Sequence, residues 1–525
     1  MSEDQKKILE RQLWAVANVL RGKMNADEYK NYILGFIFYK YLSEKLETYI
    51  NKYLLENDDF TFVQIDENND EGNAILEQIK KSTTKEMGFS LKPSQLFSSL
   101  VTRGSQIDSM GNKGFILEDL KNILIHIERT SMGTASEDDF KGLFDDVDLT
   151  SGKLGSSENK KNDVIVDVLI ELSGIDFRLE DTKSDLLGDA YEYLIGEFAA
   201  GAGKKGGEFY TPAQVSRLLS KIVTKGKTRI KSVYDPTCGS GSLLLRARNY
   251  ADVDEYYGQE MNPTTYNLAR MNMILHGVHF DKFQIRHGDT LEDDLHIDLK
   301  AEAIIANPPF SANWKSDLDP ANSTDDRFSQ YGRLAPSSKA DYAFITHMLY
   351  HLADNGTMAV VMPHGALFRG GAEGHIRQYI IEKLDYLDAV IGLPSNIFFG
   401  TSIPTSILVF SKCRKSDDIL FIDASREFIK EKTQNKLTDD NITKIFETFA
   451  NRTEWPKYSH KATKQEIKQN DYNLNIPRYV DTFEAEAEID IDEIATKLIE
   501  LDKKLLETNK TIAIFCQELG IKTPF

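Results

Sequence analysis

The stretch Ala303-Ile304-Ile305-Ala306-Asn307-Pro308-Pro309-Phe310 joins a short apolar run to two consecutive prolines. The apolar run predicts a buried strand of a parallel sheet. The prolines end that strand and stiffen the loop beyond it, so Asn307 and Phe310 are held at its carboxyl end. Open α/β sheets bind their ligands at that end of the strands.

The loop Asn307–Phe310 carries groups that suit a planar amino group. The Asn307 side chain offers a carbonyl oxygen, and the prolyl backbone at Pro308 offers only a carbonyl. An aromatic ring at Phe310 can stack on the flat ring that bears the amino group. The tetrapeptide alone is equally compatible with an ordinary proline turn that caps a strand, so the rest of the chain must decide.

The composition is that of a globular chain with several domains. It has 525 residues, of which 41% are hydrophobic and 28% charged, and this balance excludes a disordered chain. No stretch is apolar over the roughly 18 residues that a membrane span requires, and the acidic N-terminus is unlike a secretory signal. The three cysteines lie far apart and fit neither a disulfide framework nor a zinc site. We therefore expect a cytoplasmic protein without a metal or a membrane anchor.

The formal net charge is −19, from 63 basic and 82 acidic side chains. A protein that binds nucleic acid by itself is usually basic. Any contact with DNA is therefore expected to be local, or to be helped by a more basic partner. A soluble acidic enzyme with no polyanionic substrate is the alternative.

Apolar residues recur at helical spacing in the first 171 residues, so we expect a helical N-terminal domain over residues 1–171. One predicted helix starts at Asn25, because Glu28 stands three residues later. Its apolar face is formed by Tyr32, Ile33, Phe36 and Ile37. Glycine, serine and charged residues predict a loop over Ser151–Lys161.

Residues 172–480 alternate strands with helices, which predicts a mostly parallel sheet covered on both faces. The predicted strands are Ser232–Tyr234, Tyr256–Gln259, Phe283–Arg286, Ala303–Ala306, Met358–Met362, Tyr386–Ile391 and Thr405–Phe410. The predicted helices between them are Ser242–Tyr250, Thr264–Leu275, Ala340–Leu352 and His375–Lys383. The last two strands lack a helix between them, which favours an antiparallel edge.

A glycine-rich turn, Asp235–Ser242, follows the first strand and opens a helix. Its glycines let the backbone approach a ligand closely. Glu260, at the end of the second strand, stands where Rossmann-like sites hold a ribose hydroxyl. Asp289, after the third strand, can accept from an adenine amino group, and Asp235 suits a cationic ligand. These features together favour S-adenosylmethionine as the ligand.

Residues 481–525 form a third region, a helical tail. Apolar residues recur there with an unbroken 4-3 spacing, which predicts a coiled-coil seam. The seam consists of Ile494, Leu498, Leu501, Leu505, Thr508, Ile512, Phe515 and Leu519. A helix that packs on its own protein is the alternative.

On these motifs the chain resembles S-adenosylmethionine-dependent methyltransferases. Asp235–Gly241 is similar to their cofactor loop, and Asn307–Phe310 resembles the signature of enzymes that methylate adenine N6. With Gly207–Pro212 upstream, the order of motifs is that of the gamma group of DNA adenine methyltransferases. The flanks, including Gly370-Gly371-Ala372-Glu373 and Asp471-Tyr472-Asn473-Leu474, resemble the modification subunit of type I restriction–modification systems.

The resemblance implies a Rossmann-like, seven-stranded core with a helical N-terminal domain and a helical tail. It also implies a role for each motif residue. Asn307 and the Pro308 carbonyl would accept the two N6 hydrogens, beside Pro309, and Phe310 would stack on an adenine flipped from the duplex. The implied cofactor-binding residues are Glu208, Phe209, Tyr210, Thr211, Pro212, Ala213, Asp235, Gly239, Ser240, Gly241, Ser242, Glu260 and Asp289.

The resemblance further implies partners. A family modification subunit leaves sequence reading to a specificity subunit and cleavage to a motor-nuclease subunit, and acts on double-stranded DNA. Two copies of this chain per specificity subunit are expected, with the seam as the docking helix. The main alternative substrates are a glutamine side chain of a protein or an RNA base; a non-catalytic scaffold is a third reading.

Residues 313–339 are polar and loop-like. A loop of that length is usually functional or disordered. We interpret it as a lid near the flipped base, and an unstructured insert is the alternative.

Overall fold

The computed structural model describes residues 3–56, 58–177, 191, 193–196, 211–398, 401–431, 434–481 and 491–525. The chain divides into two units, Met1–Val480 and Asp481–Phe525. The larger unit contains the N-terminal helices and the sheet. The predicted boundary between residues 171 and 172 lies inside it and stays a prediction.

The N-terminal part is helical, as its sequence period predicts. Its helices are α1 (Glu3–Leu20), α2 (Ala26–Tyr49), α3 (Asp70–Met87), α4 (Phe97–Ser105), α5 (Leu117–Ser131), α6 (Glu137–Phe140) and α7 (Glu158–Ser173). Asn25 and Glu28 form a capping box at the start of α2, because each side chain satisfies a backbone N–H of the first turn. The predicted loop at residues 151–161 is shorter than expected, since Ser157 caps α7 by accepting from the Lys160 N–H.

The remainder of the larger unit supplies a sheet and its covering helices. Its strands are β1 (Arg229–Asp235), β2 (Asp252–Glu260), β3 (Phe283–His287), β4 (Ala301–Ala306), β5 (Leu352–Pro363), β6 (Leu387–Gly392), β7 (Thr405–Ser411), β8 (Ile419–Asp423), β9 (Ile429–Lys430), β10 (Asn435–Lys436) and β11 (Ser459–Ala462). The helices are α8 (Ala213–Val223), α9 (Ser242–Arg246), α10 (Pro263–Leu275), α11 (Asp341–His351), α12 (Gly365–Phe368), α13 (Gly371–Tyr379), α14 (Asp439–Asn451) and α15 (Lys464–Gln469).

Nine strands form the main sheet, in the order β11-β8-β6-β7-β5-β4-β1-β2-β3. Strands β1 to β5 pair in parallel. The chain runs outward from β1 through β2 to β3 on one side, and through β4 to β5 on the other. The carboxyl ends of β1, β2 and β4 therefore meet at a topological switch point, which is where such sheets bind ligands.

All seven predicted strands are present, and two features differ from the prediction. Strand β7 is antiparallel, as expected, but it lies between β5 and β6 rather than at an edge. The edge is instead extended by β8 and β11, which the sequence analysis missed. The seven-stranded core is thus enlarged to nine strands.

Side chains of the central strands alternate between two hydrophobic cores, because successive residues of a strand face opposite sides. Val233 and Ile305 pack on one side, and Tyr234 and Ile304 on the other. The first core also contains the apolar faces of the N-terminal helices. Buried Arg270 of α10 joins the two parts, since its guanidinium donates to the Asp138 carbonyl at 2.7 Å and to the Lys141 carbonyl at 2.9 Å.

The C-terminal unit is a single long helix, α16 (Ile491–Glu518), followed by a short extended end. The predicted helix is confirmed. Most seam leucines are more than half exposed, as are Ile499 and Leu506 beside the seam. In the described part of the chain, no helix combines the length and the apolar character that crossing a membrane requires.

Candidate active site

The loop after β4 presents an unsatisfied acceptor. The Asn307 side-chain oxygen is buried and has no hydrogen-bond partner among the described residues. A buried carbonyl without a partner costs about 1–3 kcal/mol. Such an atom is usually retained where a ligand supplies the missing donor. Pro309 of the same loop lines a cavity of about 510 Å³.

The far end of this loop is anchored by ion pairs. Ser311 has a φ of +52°, and its N–H donates to the buried Asp341 carboxylate at 2.9 Å. Arg369 pairs with Asp341 and donates to Glu373 at 2.6 Å. The strained backbone directly after Phe310 is thereby fixed, which limits where the Phe310 ring can lie.

The Phe310 ring is partly buried and meets Phe398 edge to face, with 5.9 Å between the ring centroids. Phe398 itself is buried. An edge contact of this kind supports a ring from one side and is a favourable aromatic arrangement. The geometry suits a ring that stacks on a planar ligand.

The glycine-rich turn connects β1 to α9. Gly241 has a φ of +74°, which L side chains adopt only with strain, and a Cβ there would meet Met273 at 3.2 Å. The side chains of Ser240 and Ser242 are buried and lie 3.1 Å apart. Asn272 donates to the Ser240 carbonyl at 2.9 Å, so these serines brace the turn against α10.

Asp235 ends β1 as a buried carboxyl group. It accepts from the Thr237 N–H at 2.9 Å. Burial, together with the charge of Glu260, raises the pKa of Asp235 to about 7. The carboxyl therefore changes charge near neutral pH, and a nearby cation would favour its ionised form.

Glu260 links the second strand to the glycine-rich turn. Its two carboxylate oxygens accept from the N–H groups of Gly239 at 3.0 Å and Asn262 at 2.8 Å. Burial raises the pKa of Glu260, although the hydrogen bonds from these backbone N–H groups lower it. Each carboxylate oxygen keeps a lone pair for a further donor.

Glu260 and Asp289 line one cavity of about 510 Å³, together with Thr237 and Pro309. This volume is within the usual range for small-ligand sites. The cavity brings together the ends of β1 to β4, as the sequence analysis predicted for Glu260, Asp289 and the catalytic loop. Asp235 and Gly239 do not line it themselves, but each is hydrogen-bonded to a residue that does, Asp235 to Thr237 and Gly239 to Glu260.

Most of the lining residues were not predicted as site residues, and some of them come from segments other than the strand ends. Lys30 and Asn31 belong to α2, and Trp314 to the segment 313–339. The side-chain oxygen of Asn31 is buried and has no partner in the described part of the chain. Local sequence carried no signal for Lys30 or Asn31, because they reach the cavity only through the packing of the N-terminal helices.

The predicted closing segment is only partly described. Glu208, Phe209 and Tyr210 lie outside the described residues. Thr211 is buried, Pro212 precedes α8, and Ala213 begins it. Of these, none is among the residues that line the described cavity.

The segment 313–339 is folded, which excludes the unstructured insert. It contains three 3-10 turns, Ser316–Leu318, Pro320–Ser323 and Ser329–Tyr331. Its buried Arg327 donates to the carbonyls of Thr290 at 2.8 Å and Leu291 at 3.2 Å. Since both residues line the cavity, Arg327 holds that wall in place.

Behind this wall, Asp294, His347 and His351 have ligand atoms within 4.8 Å of one another. Their spacing would suit a metal ion, but each atom has a partner. His351 meets Asp294 at 2.8 Å and the Leu299 carbonyl at 2.9 Å. His347 meets Tyr234 at 2.9 Å and Arg327 at 3.2 Å. A guanidinium in the cluster disfavours a dication, so we interpret it as structural.

Two sequence families match the chain. The family described as N-6 DNA Methylase matches residues 182–488, and the HsdM N-terminal domain matches residues 9–172. The type I restriction enzyme MpnII methylase subunit of Mycoplasma pneumoniae is 38% identical over 99% of this chain and 98% of its own length. The chain belongs to the type I restriction enzyme methylase subunits.

Further relatives agree with this membership. The MjaVII methylase subunit of Methanocaldococcus jannaschii is 30% identical to this chain, and the similarity covers 90% of this chain and 78% of the MjaVII subunit. A type I restriction-modification methyltransferase subunit from Streptococcus thermophilus has a similar crystal structure, with a TM-score of 0.80 and 42% identity. That similarity covers 90% of this chain and 99% of that one.

The methylase subunit is a DNA adenine N6-methyltransferase that uses S-adenosylmethionine. The predicted family, fold class, reaction and cofactor are therefore confirmed. DNA, rather than a protein glutamine or RNA, is the substrate that the family supports.

Proposed function

We propose that Asn307 and the Pro308 carbonyl hold the target adenine by accepting its two N6 hydrogens. The observation that carries this proposal is the buried Asn307 oxygen, which has no partner in the described residues. Two fixed acceptors leave the nitrogen lone pair directed away from them. The loop thus orients the nucleophile, and orientation can supply several kcal/mol of the catalysis.

Phe310 is proposed to stack on the adenine after the base leaves the duplex. Removing a base from the stack costs a few kcal/mol, and stacking on an aromatic side chain returns about 1–3 kcal/mol. The support of Phe310 by Phe398 and the anchoring of Ser311 by Asp341 keep the ring in place for this contact.

The cavity beside the loop is proposed to hold the cofactor. When bound, S-adenosylmethionine supplies a methyl group on a positively charged sulfur. Glu260 would accept from the ribose hydroxyls, Asp289 would meet the adenine ring, and the turn Gly239–Ser242 would pass beside them. The volume and the two lining carboxylates fit these groups. Residues Glu208–Ala213 are proposed to cover the site.

The catalytic proposal is tested with Asn307→Ala. Loss of the acceptor should lower methyl transfer to DNA at least about a hundred-fold, as removal of one positioned polar group does in other enzymes. The affinity for S-adenosylmethionine, measured by calorimetry, should stay within a few-fold of wild type. Asn122→Ala is the control, because this asparagine is exposed on α5 and does not line the cavity. Near-normal turnover by Asn307→Ala would contradict the proposal.

We further propose that two copies of this chain assemble with one specificity subunit, and that a motor-nuclease subunit joins the complete enzyme. Membership of the type I methylase subunits supports an assembly. One solved relative of similar fold, at 19% identity, belongs to a study of type I complex assembly. The exposed seam of α16 is the proposed docking helix, because a seam of this spacing packs against another helix.

The assembly proposal is tested by Leu501→Asp combined with Leu505→Asp. Two unpaired charges in the seam should prevent stable association with the co-expressed specificity subunit. Size-exclusion chromatography with light scattering measures the complex, and cofactor binding should persist. Lys503→Asp is the control, since it lies on the same helix but off the seam. A complex of normal mass from the double variant would refute the docking role.

A further inference from the structure

A second cleft of the larger unit shares no lining residue with the cofactor cavity. It has a volume of about 460 Å³ and is lined by the start of α13, the loop around Arg333 and the segment 470–478. Its charged lining residues are Arg333, Arg377 and Arg478 against one aspartate, Asp471. His375 and Asn470 add further polar groups.

The three arginines of this arginine cleft lack acidic partners. In the described part of the chain, no carboxylate lies within ion-pair distance of any of them. Arg377 is buried, and its guanidinium donates to three backbone carbonyls, those of Tyr472 at 2.7 Å, Ala366 at 3.1 Å and Arg369 at 3.0 Å. Carbonyls satisfy its N–H groups but leave its charge uncompensated.

Several other arginines of the same unit are paired with carboxylates. Arg369 lies 2.6 Å from Glu373, Arg414 lies 2.6 Å from Asp385, and Arg452 lies 2.7 Å from Asp388. The chain has a net charge of −19, yet three arginines without a carboxylate partner line this one concave surface. They create a local positive potential, which attracts an anion.

The cleft adjoins the catalytic loop. Phe368 and Gly370 line it, while Arg369 between them pairs with Asp341, which accepts from the Ser311 N–H. Ser311 directly follows Phe310. An anion in the cleft would therefore lie close to the base-binding loop, as the backbone phosphates around a flipped nucleotide must.

We propose that the arginine cleft binds a backbone phosphate of the DNA strand that carries the target adenine. Arg333 and Arg478, whose side chains are exposed, would donate to the phosphate oxygens, and buried Arg377 adds positive charge beneath them. Arginine suits phosphate because its planar fork donates two parallel bonds. This contact reads no sequence but positions the strand. It also gives the segment 313–339 a role, since Arg333 belongs to it.

Arg333→Ala and Arg478→Ala test the proposal in the native complex, purified through a tag on this chain. The probe is a fluorescein-labelled duplex that the wild-type complex methylates, titrated by anisotropy over a range of KCl concentrations. Each variant should bind roughly three- to ten-fold more weakly near physiological salt. The slope of log Kd against log[KCl] should fall by about 0.9, the value for one lost phosphate contact. Arg333→Lys keeps the positive charge, so it should keep the wild-type salt slope while losing the part of the affinity that the planar fork supplies.

Arg129→Ala is the matched control, because Arg129 is also exposed and lies on α5, away from the cleft. Its affinity and salt slope should equal those of wild type. An unchanged slope in both cleft variants would overturn the proposal. A lower mass of the native complex in light scattering for these variants would also overturn the proposal, because it would identify an acidic surface of a partner protein as the occupant of the cleft. Loss of S-adenosylmethionine binding in both variants would reveal a structural role and also overturn it.

Discussion

The cofactor cavity and the arginine cleft carry opposite charge. Pro309 of the catalytic loop lines the cavity, while the cleft connects to that loop through the Arg369–Asp341 pair. The cavity is lined by two carboxylates, Glu260 and Asp289, and one lysine, Lys30. The cleft is lined by three arginines and one aspartate. The two ligands proposed for them have opposite charge as well, a sulfonium cofactor and a phosphodiester strand. Net charge therefore describes neither site, and an acidic chain can still hold a local site for DNA.

The charge at Glu260 is expected to act on the cofactor alone. Glu260→Gln removes a charged acceptor for the proposed ribose hydroxyls, at a cost of roughly 1–3 kcal/mol, or about five- to 160-fold in affinity. Calorimetry with S-adenosylmethionine measures the change. Glu255→Gln is the control, since Glu255 is exposed on the same strand. An unchanged cofactor affinity would remove Glu260 from the site.

Cofactor binding should also depend on pH through Asp235, whose pKa is raised to about 7 by burial and by Glu260. Below this pH the Asp235 carboxyl is protonated. Because the positively charged cofactor favours the ionised carboxylate, cofactor binding must release a proton from Asp235. Affinity should fall by up to about ten-fold between pH 7 and pH 6, and level off above about pH 8. Uncharged S-adenosylhomocysteine should show little of this dependence. Equal pH dependence for both ligands, or its persistence in Asp235→Asn, would contradict the assignment.

A smaller effect is expected from α2. Asn31 places a buried, unpartnered side-chain oxygen in the cavity wall, so Asn31→Ala should weaken S-adenosylmethionine binding several-fold, by about 1 kcal/mol. The control is Asn122→Ala, an exposed asparagine of α5. Wild-type affinity in Asn31→Ala would limit the cofactor site to the sheet and its loops.

Strands and motifs were predictable where the signal is local. Buried runs such as Ala303–Ala306 identify strands, and residues at strand ends converge because parallel strands share one edge. Strand β8, at Ile419–Asp423, was missed because so short an apolar run does not separate strand from helix. Strand β11, Ser459–Ala462, has little apolar character and exists through its pairing with β8.

Residues that the fold gathers from distant segments could not be predicted. Asn31 reaches the cofactor cavity from the N-terminal helices. Arg333, Arg377 and Arg478 form one cleft from three separate segments. No spacing in the sequence links these positions, since tertiary packing alone brings them together.

The most direct test measures two variants against two ligands. Glu260→Gln and Arg333→Ala, each in the native complex, are titrated separately with S-adenosylmethionine and with duplex DNA. Each variant is predicted to affect only one ligand. Glu260→Gln should bind S-adenosylmethionine more weakly and DNA with wild-type affinity. Arg333→Ala should bind DNA more weakly, with a smaller slope of log Kd against log[KCl], and S-adenosylmethionine with wild-type affinity. If each variant weakened both ligands equally, or if Arg333→Ala left DNA binding unchanged, two separate sites of opposite charge would be contradicted.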